Sequence, residues 1–257
     1  MSELYHFSVD DVLDGLLEIE AGRPVPQVPL AAFLDEQHQA CGLAADLYLF
    51  LRRSPDGRGL ADLGGPAVEW ARQRTWLCFG PHAADYETAP YGQDPDAVAA
   101  TLEALFAQIS RLVPAAQRSA WLRLHYFSEC YGQADLLRAN GVDTLLLTDK
   151  PAVAYHLPEV RRLQLGAEDR VHHCGLTLQR SHLRLETLVA EGETESGIRR
   201  RLDGILDRRG LVVLFTHEVD LAHEEVRRAG TVALRHLRDR GVTPVQSEPL
   251  CRVPSTQ

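Results

Sequence analysis

The sequence lacks the features of several common protein classes. Its five cysteines are scattered and include no C-x-x-C pair. This argues against a disulfide framework or a cysteine-rich zinc site and favours a reducing compartment. No run approaches 18 apolar residues, and no basic segment followed by an apolar one opens the chain. We therefore expect a cytoplasmic chain with no membrane span.

Two enzyme signatures are also missing. No G-x-S-x-G occurs, which disfavours a serine hydrolase, and no G-x-G-x-x-G follows the first predicted strand. The formal net charge of −9 argues against general binding to nucleic acid or anionic lipid. What is present is an ordinary globular composition of 45% hydrophobic and 25% charged residues in 257 residues, enough for a sizeable core.

Short apolar segments alternate with helical patterns along the chain. Strands are predicted at 5–9, 45–51, 75–79, 121–127, 142–148, 182–188, 211–216 and 242–246. Helices are predicted at 11–20, 30–40, 66–74, 95–113, 132–140, 194–209 and 221–240, and the stretch 150–180 gives no firm element.

Connections this long join parallel strands through helical crossovers. The chain has no repeat, no low-complexity tract and no long linker, so we expect a single domain over residues 1–257. The pattern predicts an α/β fold, an irregular or incomplete (β/α) barrel of mostly parallel strands. An open doubly wound sheet is the alternative.

Titratable side chains recur near the carboxyl ends of the predicted strands. These residues are Asp10, Asp11, His82, His125, His217 and Glu218. In parallel α/β folds the loops after the strands gather at one face, where sites are built. Carboxylates and imidazoles from separate strands suit a divalent metal such as zinc with an open position for water. Taken alone, the acidic pair fits better as a strand end capped by the following helix, and the later strand ends shift this balance towards a site.

Four motifs in this order resemble those of the NodB-homology polysaccharide deacetylases, the family-four carbohydrate esterases. They are Ser8-Val9-Asp10-Asp11, Gly80-Pro81-His82, Arg123-Leu124-His125-Tyr126 and Leu214-Phe215-Thr216-His217. The family carries T-F-D-D, H-x-x-x-H, R-x-P-Y and an apolar strand ending in histidine. The resemblance spans nearly the whole chain. It implies a distorted (β/α) barrel of the polysaccharide deacetylase and glycoside hydrolase type, which removes acetyl groups from amino sugars with a divalent metal.

The resemblance also implies catalytic roles. Asp10 would be the general base, and Arg123 would orient it through a bidentate pair. Tyr126 would help to hold the oxyanion through its backbone N–H. His217 would be the general acid that protonates the leaving amine. Arg123 and Glu218 are the nearest candidates for an oriented shell of partners around the site.

The implied metal site departs from the family pattern. Asp11 and His82 would be ligands, but the family's second metal histidine falls at Tyr86. In addition, His125 replaces the proline of R-x-P-Y. Either His125 or Asp85 supplies the third ligand, or the metal is weakly bound or absent.

These departures leave two functions open. One is a metal-dependent hydrolase that removes an N-acetyl or related acyl group from an amino sugar or polysaccharide precursor, with a small molecule or an oligosaccharide as substrate. The other is an inactive deacetylase-like barrel that binds carbohydrate or a protein partner. The tyrosine at position 86 favours the second, and retention of Asp10, Asp11, Arg123 and His217 favours the first.

Other polar residues have structural interpretations as well as functional ones. Cys130 is a candidate nucleophile, although a buried structural cysteine is the favoured reading. The sequence His172-His173-Cys174 is interpreted as a loop feature. Arg184 and Glu186 share a face of the strand predicted at 182–188, where they contact either a polar substrate or each other and solvent.

Overall fold

A computed structural model describes residues 3–53, 57–150 and 156–245. The last predicted strand extends to Gln246, which lies outside the described residues. No helix in these ranges has the length and apolar character needed to cross a membrane.

Strands and helices alternate as the sequence predicts. The strands are β1 (Leu4–Val12), β2 (Ala45–Phe50), β3 (Leu77–Ala83), β4 (Trp121–Leu122), β5 (Thr144–Leu147), β6 (Arg170–His173), β7 (Leu176–Arg180), β8 (Leu183–Arg184), β9 (Leu211–His217) and β10 (Thr243–Pro244). The helices are α1 (Asp14–Glu20), α2 (Pro29–Cys41), α3 (Gly65–Gln73), α4 (Pro95–Leu112), α5 (Ala134–Ala139), α6 (Glu159–Glu168), α7 (Leu185–Ala190), α8 (Glu195–Arg209) and α9 (Glu224–Asp239).

The strands form two sheets. The larger has the order β3-β2-β1-β9-β8, with β10 also paired to β1, and all of its pairings are parallel. The smaller has the order β4-β5-β7-β6, in which only the β6–β7 pair is antiparallel. An isolated parallel bridge between Phe79 and Arg118 connects the two near β3 and β4. Among the described residues the sheets do not close into one barrel, and the mostly parallel α/β fold is confirmed.

Two hydrophobic clusters hold the sheets and helices together. The larger packs apolar faces of α1, α2, α3, α8 and α9 against the six-stranded sheet. The smaller joins side chains of the four-stranded sheet to Tyr48 of β2 and Val213 of β9. Strands β2, β3 and β5 are buried along their whole length, which explains why their sequences are mostly apolar.

Several helix ends follow from local chemistry. The Asp94 side chain accepts a hydrogen bond from the N–H of Asp96, and Pro95 takes the first helical position of α4, as predicted. Gly42 ends α2 in the left-handed conformation, and Gly210 ends α8 in the same way.

Strand boundaries differ from the sequence expectation around the candidate site. Strand β1 does not end at its two aspartates but continues to Val12, with a left-handed residue at Asp11 (φ 61°). Strand β3 likewise runs through His82. The strand predicted at 121–127 is wrong beyond Leu122, because Tyr126 and Phe127 both have positive φ.

Two further expectations need correction. The strand predicted at 182–188 ends at Arg184, and α7 begins at the next residue, so Arg184 and Glu186 do not share a strand face. The stretch 150–180, which gave no firm element, contains α6, β6 and β7. His172 and His173 therefore lie in an antiparallel strand and not in a loop.

Candidate metal and catalytic site

A cavity of about 310 Å³ opens at the carboxyl ends of β1, β3 and β9. Asp85 and Glu218 do not line it, but the other seven site residues predicted from the sequence do, namely Asp10, Asp11, His82, Arg123, His125, Tyr126 and His217. Adjacent residues of a regular strand point to opposite faces, so Asp10 and Asp11 would normally diverge. The left-handed backbone at Asp11 interrupts this alternation, and both carboxylates reach the same cavity.

The position of His82 depends on how closely the backbone of β3 packs against β4. Gly80 of β3 lies against Leu122, and a Cβ at residue 80 would come within 2.4 Å of the leucine side chain. Glycine therefore lets β3 pack close to the end of β4. As a result, the Nδ1 of His82 lies 2.6 Å from the carbonyl oxygen of Arg123.

Three potential ligand atoms converge in the cavity. The Oδ1 of Asp11 lies 3.0 Å from the Nε2 of His82 and 3.4 Å from the Nδ1 of His125. The two histidine nitrogens are 3.2 Å apart. The structure thus brings His125 to Asp11 and His82, whereas the carboxylate of Asp85 is bound to Thr88 and Arg52.

Backbone carbonyls fix which histidine nitrogens carry protons. The Nδ1 of His82 donates to the carbonyl of Arg123, and the Nε2 of His125 donates to the carbonyl of Tyr86 at 2.9 Å. A carbonyl can only accept, so in neutral imidazoles the nitrogens that face each other carry lone pairs.

The donor set fits a divalent cation. Two imidazole lone pairs and a carboxylate oxygen point at one another, and the Oδ1 of Asp11 is buried without a hydrogen-bond partner among the described residues. Such a group of acceptors is unfavourable unless a cation lies between them. Histidines that donate their outer N–H to a carbonyl are typical of zinc sites. The residues Asp11, His82 and His125 could therefore hold a metal.

Arg123 binds the other aspartate, Asp10, from the protein interior. It is 1% exposed, and its Nη1 donates to the Oδ1 of Asp10 at 2.9 Å and to the Oγ of Ser8 at 2.6 Å. Its Nη2 donates to the Oγ of Ser181 at 2.9 Å, and its guanidinium stacks 3.9 Å from the centre of the Phe215 ring. The expected bidentate pair is therefore wrong in detail, since one oxygen of Asp10 receives the guanidinium and the second donor goes to Ser181.

His217 lies between two carboxylates on the opposite wall. Its Nδ1 donates to the Oε1 of Glu186 at 2.6 Å and lies 3.6 Å from the Oδ2 of Asp220. Burial alone would lower the pKa of His217, but the hydrogen bond to Glu186 and the charges of Asp10, Glu186 and Asp11 raise it to about 9. The imidazole is therefore protonated at neutral pH, as a general acid must be.

No pattern in the sequence pairs Glu186 with His217. The glutamate lies 31 residues before the histidine and also accepts a hydrogen bond from Thr216 at 3.0 Å. Its i, i+2 spacing from Arg184 drew attention to the residue, and the two side chains do form an ion pair at 3.8 Å, but the spacing gave no hint of the contact with His217. The potential ligand atoms of Glu186, His217 and Asp220 also lie within 4.8 Å of one another, as a second cation site would require. The short hydrogen bond at Nδ1 instead fits an imidazolium held by two acids.

Two other sequence interpretations change. Glu218 accepts from the N–H groups of Leu13, Asp14 and Gly15 at 2.5–3.0 Å, so it caps α1 and does not orient a metal ligand. The Sγ of Cys130 lies 2.9 Å from the Oγ of Ser128, and burial raises the pKa of this thiol, which opposes a nucleophilic role.

Comparison with known proteins supports the fold assignment. The chain is similar to a protein from Bordetella bronchiseptica described as a polysaccharide deacetylase involved in O-antigen biosynthesis, with 11% identity, 93% of this chain and 90% of that chain covered, and a TM-score of 0.52. It is similar to the catalytic domain of the peptidoglycan N-acetylglucosamine deacetylase of Eubacterium rectale, with 10% identity, 96% and 90% covered, and a TM-score of 0.51.

A third similar structure is the 4-α-glucanotransferase of Thermococcus litoralis, with 11% identity and a TM-score of 0.58. The match covers 96% of this chain but only 40% of that larger protein. No protein-family model matches the sequence. No curated protein matches it either. The chain thus has a polysaccharide deacetylase-like fold, and the resemblance predicted from its motifs is confirmed at that level.

Proposed function

We propose that the protein is a metal-dependent hydrolase that removes an N-acetyl or related acyl group from an amino sugar or a polysaccharide precursor. One observation carries this proposal. Asp11, His82 and His125 present three acceptor atoms to one point, next to a buried aspartate and a protonated histidine. This combination supplies a metal position, a base and an acid within a single cavity.

The metal would be held by Asp11, His82 and His125. When bound, a divalent ion such as zinc polarises an amide carbonyl and lowers the pKa of water from about 15.7 towards about 7. The replacement of the expected histidine by Tyr86 does not remove a ligand from this set, because His125 takes its place. The tyrosine contributes its backbone carbonyl, which orients His125.

The protein's own residues would carry the protons. Asp10, oriented by Arg123, accepts a proton from the attacking water. The backbone N–H of Tyr126 stabilises the negative charge on the former carbonyl oxygen. His217 then donates a proton to the leaving nitrogen, and Glu186 keeps its ring in place.

The direct test combines acetate release with metal analysis. We expect protein purified without chelator to contain a stoichiometric divalent metal and to release acetate from acetylated amino sugars. Asp10→Asn should keep the fold and the metal but lower kcat by about 10²–10⁴-fold. Protein that neither contains nor takes up a metal, or an unaffected Asp10→Asn enzyme, would refute the mechanism. The first result would favour the alternative of an inactive barrel that binds carbohydrate or a protein partner.

A further inference from the structure

Apolar side chains surround the mouth of the candidate site. Among the described residues six large hydrophobic side chains are exposed, and four of them are here. Tyr86, Tyr126 and Val219 line the catalytic cavity, and Tyr91 packs edge-on against Tyr126 with ring centres 6.4 Å apart. Clustered exposed apolar groups mark binding surfaces, whereas single ones need no explanation.

A second cavity of about 270 Å³ is lined by Tyr91. Its walls include Pro90, Tyr91, Pro95, Val98 and Tyr131. None of its eleven lining residues is Asp, Glu, Lys or Arg, although a quarter of the chain is. The contrast with the catalytic cavity, which contains three aspartates and two arginines, indicates that the second cavity receives a different kind of group.

The volumes of the two cavities also indicate that each binds a different part of the substrate. Ligand pockets usually measure roughly 300–1,000 Å³, so the catalytic cavity of about 310 Å³ suits one small group. A substrate larger than this must extend over the rim. An apolar cavity of about 150 Å³ is enough for benzene, so the cavity lined by Tyr91 can enclose an aryl or short alkyl group.

We propose that this second cavity binds an apolar aryl or alkyl substituent attached to the amino sugar. The inference rests on the proposed function, because it assigns the substrate's reacting amide to the neighbouring catalytic cavity. An anionic group is disfavoured, because none of the lining side chains carries a fixed positive charge. Neutral polar side chains such as Gln93 and Gln133 also line the cavity, and its prolines, tyrosines and valine provide the apolar contact on which the proposal depends. The substrate class is therefore an N-acylated sugar conjugated to an apolar group.

The chain offers a way to fill the cavity without disturbing its walls. Gly132 lines it, and a Cβ at this position would meet no atom within 4 Å. Gly132→Phe should therefore fold normally and occupy the space. Gly166→Phe, on α6 at a glycine that is equally open, is the matched control. Tyr91→Ala tests the same cavity by removing a wall.

The experiment compares kcat/KM for N-acetylglucosamine, its 4-nitrophenyl and octyl glycosides and its β-1,4-linked dimer. We expect the wild-type enzyme to prefer the aryl and alkyl glycosides over the free sugar by roughly tenfold or more. Gly132→Phe and Tyr91→Ala should bring this ratio close to one, while Gly166→Phe keeps it. An unchanged ratio in the first two variants, or a larger gain from the dimer than from the apolar glycosides, would overturn the proposal.

A binding measurement separates this inference from the proposed function. Titration of the 4-nitrophenyl glycoside should show binding to wild-type protein and weaker binding to Gly132→Phe, whether or not any acetate is released. Binding without hydrolysis would refute the proposed function and support the cavity. Hydrolysis with equal binding to both proteins would support the function and refute the cavity.

Discussion

At the scale of single residues, the carboxylates of Glu186, Asp10 and Asp11 together keep His217 protonated. Glu186 accepts its Nδ1 hydrogen at 2.6 Å, and the pKa of the imidazole is raised to about 9 in spite of burial. A raised pKa means that the acid form is present at neutral pH and is lost as the pH rises through about 9. The alkaline limb of the activity profile should follow this loss.

Glu186→Gln should move that limb towards neutral pH. The substitution removes the ionic hydrogen bond, so the pKa of His217 falls and the acid form is lost earlier. The measurement is kcat/KM against pH, together with NMR titration of the His217 ring. Glu191→Gln is the control, because Glu191 pairs with Arg201 on an exposed surface. An alkaline limb at the same pH in Glu186→Gln would show that His217 is not the titrating acid.

Substitution of His125 should weaken metal binding, whereas substitution of Asp85 should leave it unchanged. His125 faces Asp11 and His82, so His125→Ala should weaken binding of zinc by at least 10²-fold, more than the loss of an outer partner. Asp85 is bound to Thr88 and Arg52, so Asp85→Asn should bind zinc as the wild type does. Competition with a chromogenic chelator measures both constants. If Asp85→Asn lost the metal and His125→Ala kept it, the ligand set would be wrong.

At the scale of elements, Glu218 joins the end of β9 to the start of α1. Its carboxylate accepts from three consecutive N–H groups of α1. Burial, partly offset by these hydrogen bonds, raises the pKa of Glu218 to about 7. The folded protein then binds a proton more readily than the unfolded chain, so this residue's contribution to stability falls as pH rises towards about 7.

Glu218→Gln should change both the size and the pH dependence of stability. An amide places N–H groups against backbone N–H donors, and one unsatisfied donor costs about 1–3 kcal/mol. The variant should also lose the decrease in stability between about pH 4.5 and 7. Denaturant unfolding at several pH values checks both effects. Glu224→Gln, at an exposed position in the first turn of α9, is the control. Parallel pH profiles for Glu218→Gln and wild type would contradict the assigned pKa.

Elements with strong local signals could be predicted from the sequence. The proline and aspartate at the start of α4 and the glycine after α2 fixed those ends to within a residue. The left-handed turns at Asp11, Tyr126 and Phe127 could not be predicted, because none of them is glycine and tertiary contacts hold them. Helix α7 was missed because its sequence also alternates as a strand does.

The candidate site could also be predicted only in part. Its seven residues could be found from the motifs, since the ends of parallel strands meet at one face. The groups that hydrogen-bond to these residues could not be found from the motifs. The carbonyls of Arg123 and Tyr86 that orient the histidines, and the glutamate that pairs with His217, depend on how distant segments pack. A contact made by a backbone carbonyl cannot be predicted from the side chain that its residue carries.

At the scale of the whole molecule, Arg123 links the two sheets through the interior. Its guanidinium reaches Ser8 and Asp10 on β1 of the larger sheet. It also reaches Ser181, which directly follows β7 of the smaller sheet. Removing a partner from a buried ion pair leaves an uncompensated charge, whereas replacing both partners with neutral groups is much less costly. The arginine therefore has a structural role as well as its proposed role beside the base.

A double-mutant cycle separates these two roles. Arg123→Met should lower the free energy of unfolding by about 3–5 kcal/mol, because Asp10 is then buried without its cation. Adding Asp10→Asn should recover part of this loss and give a coupling energy of about 1–3 kcal/mol, measured by urea unfolding at pH 7. Activity should not return with stability, since the base is gone. Additive losses of stability would mean that the two side chains do not form the buried pair on which the catalytic assignment of Asp10 depends.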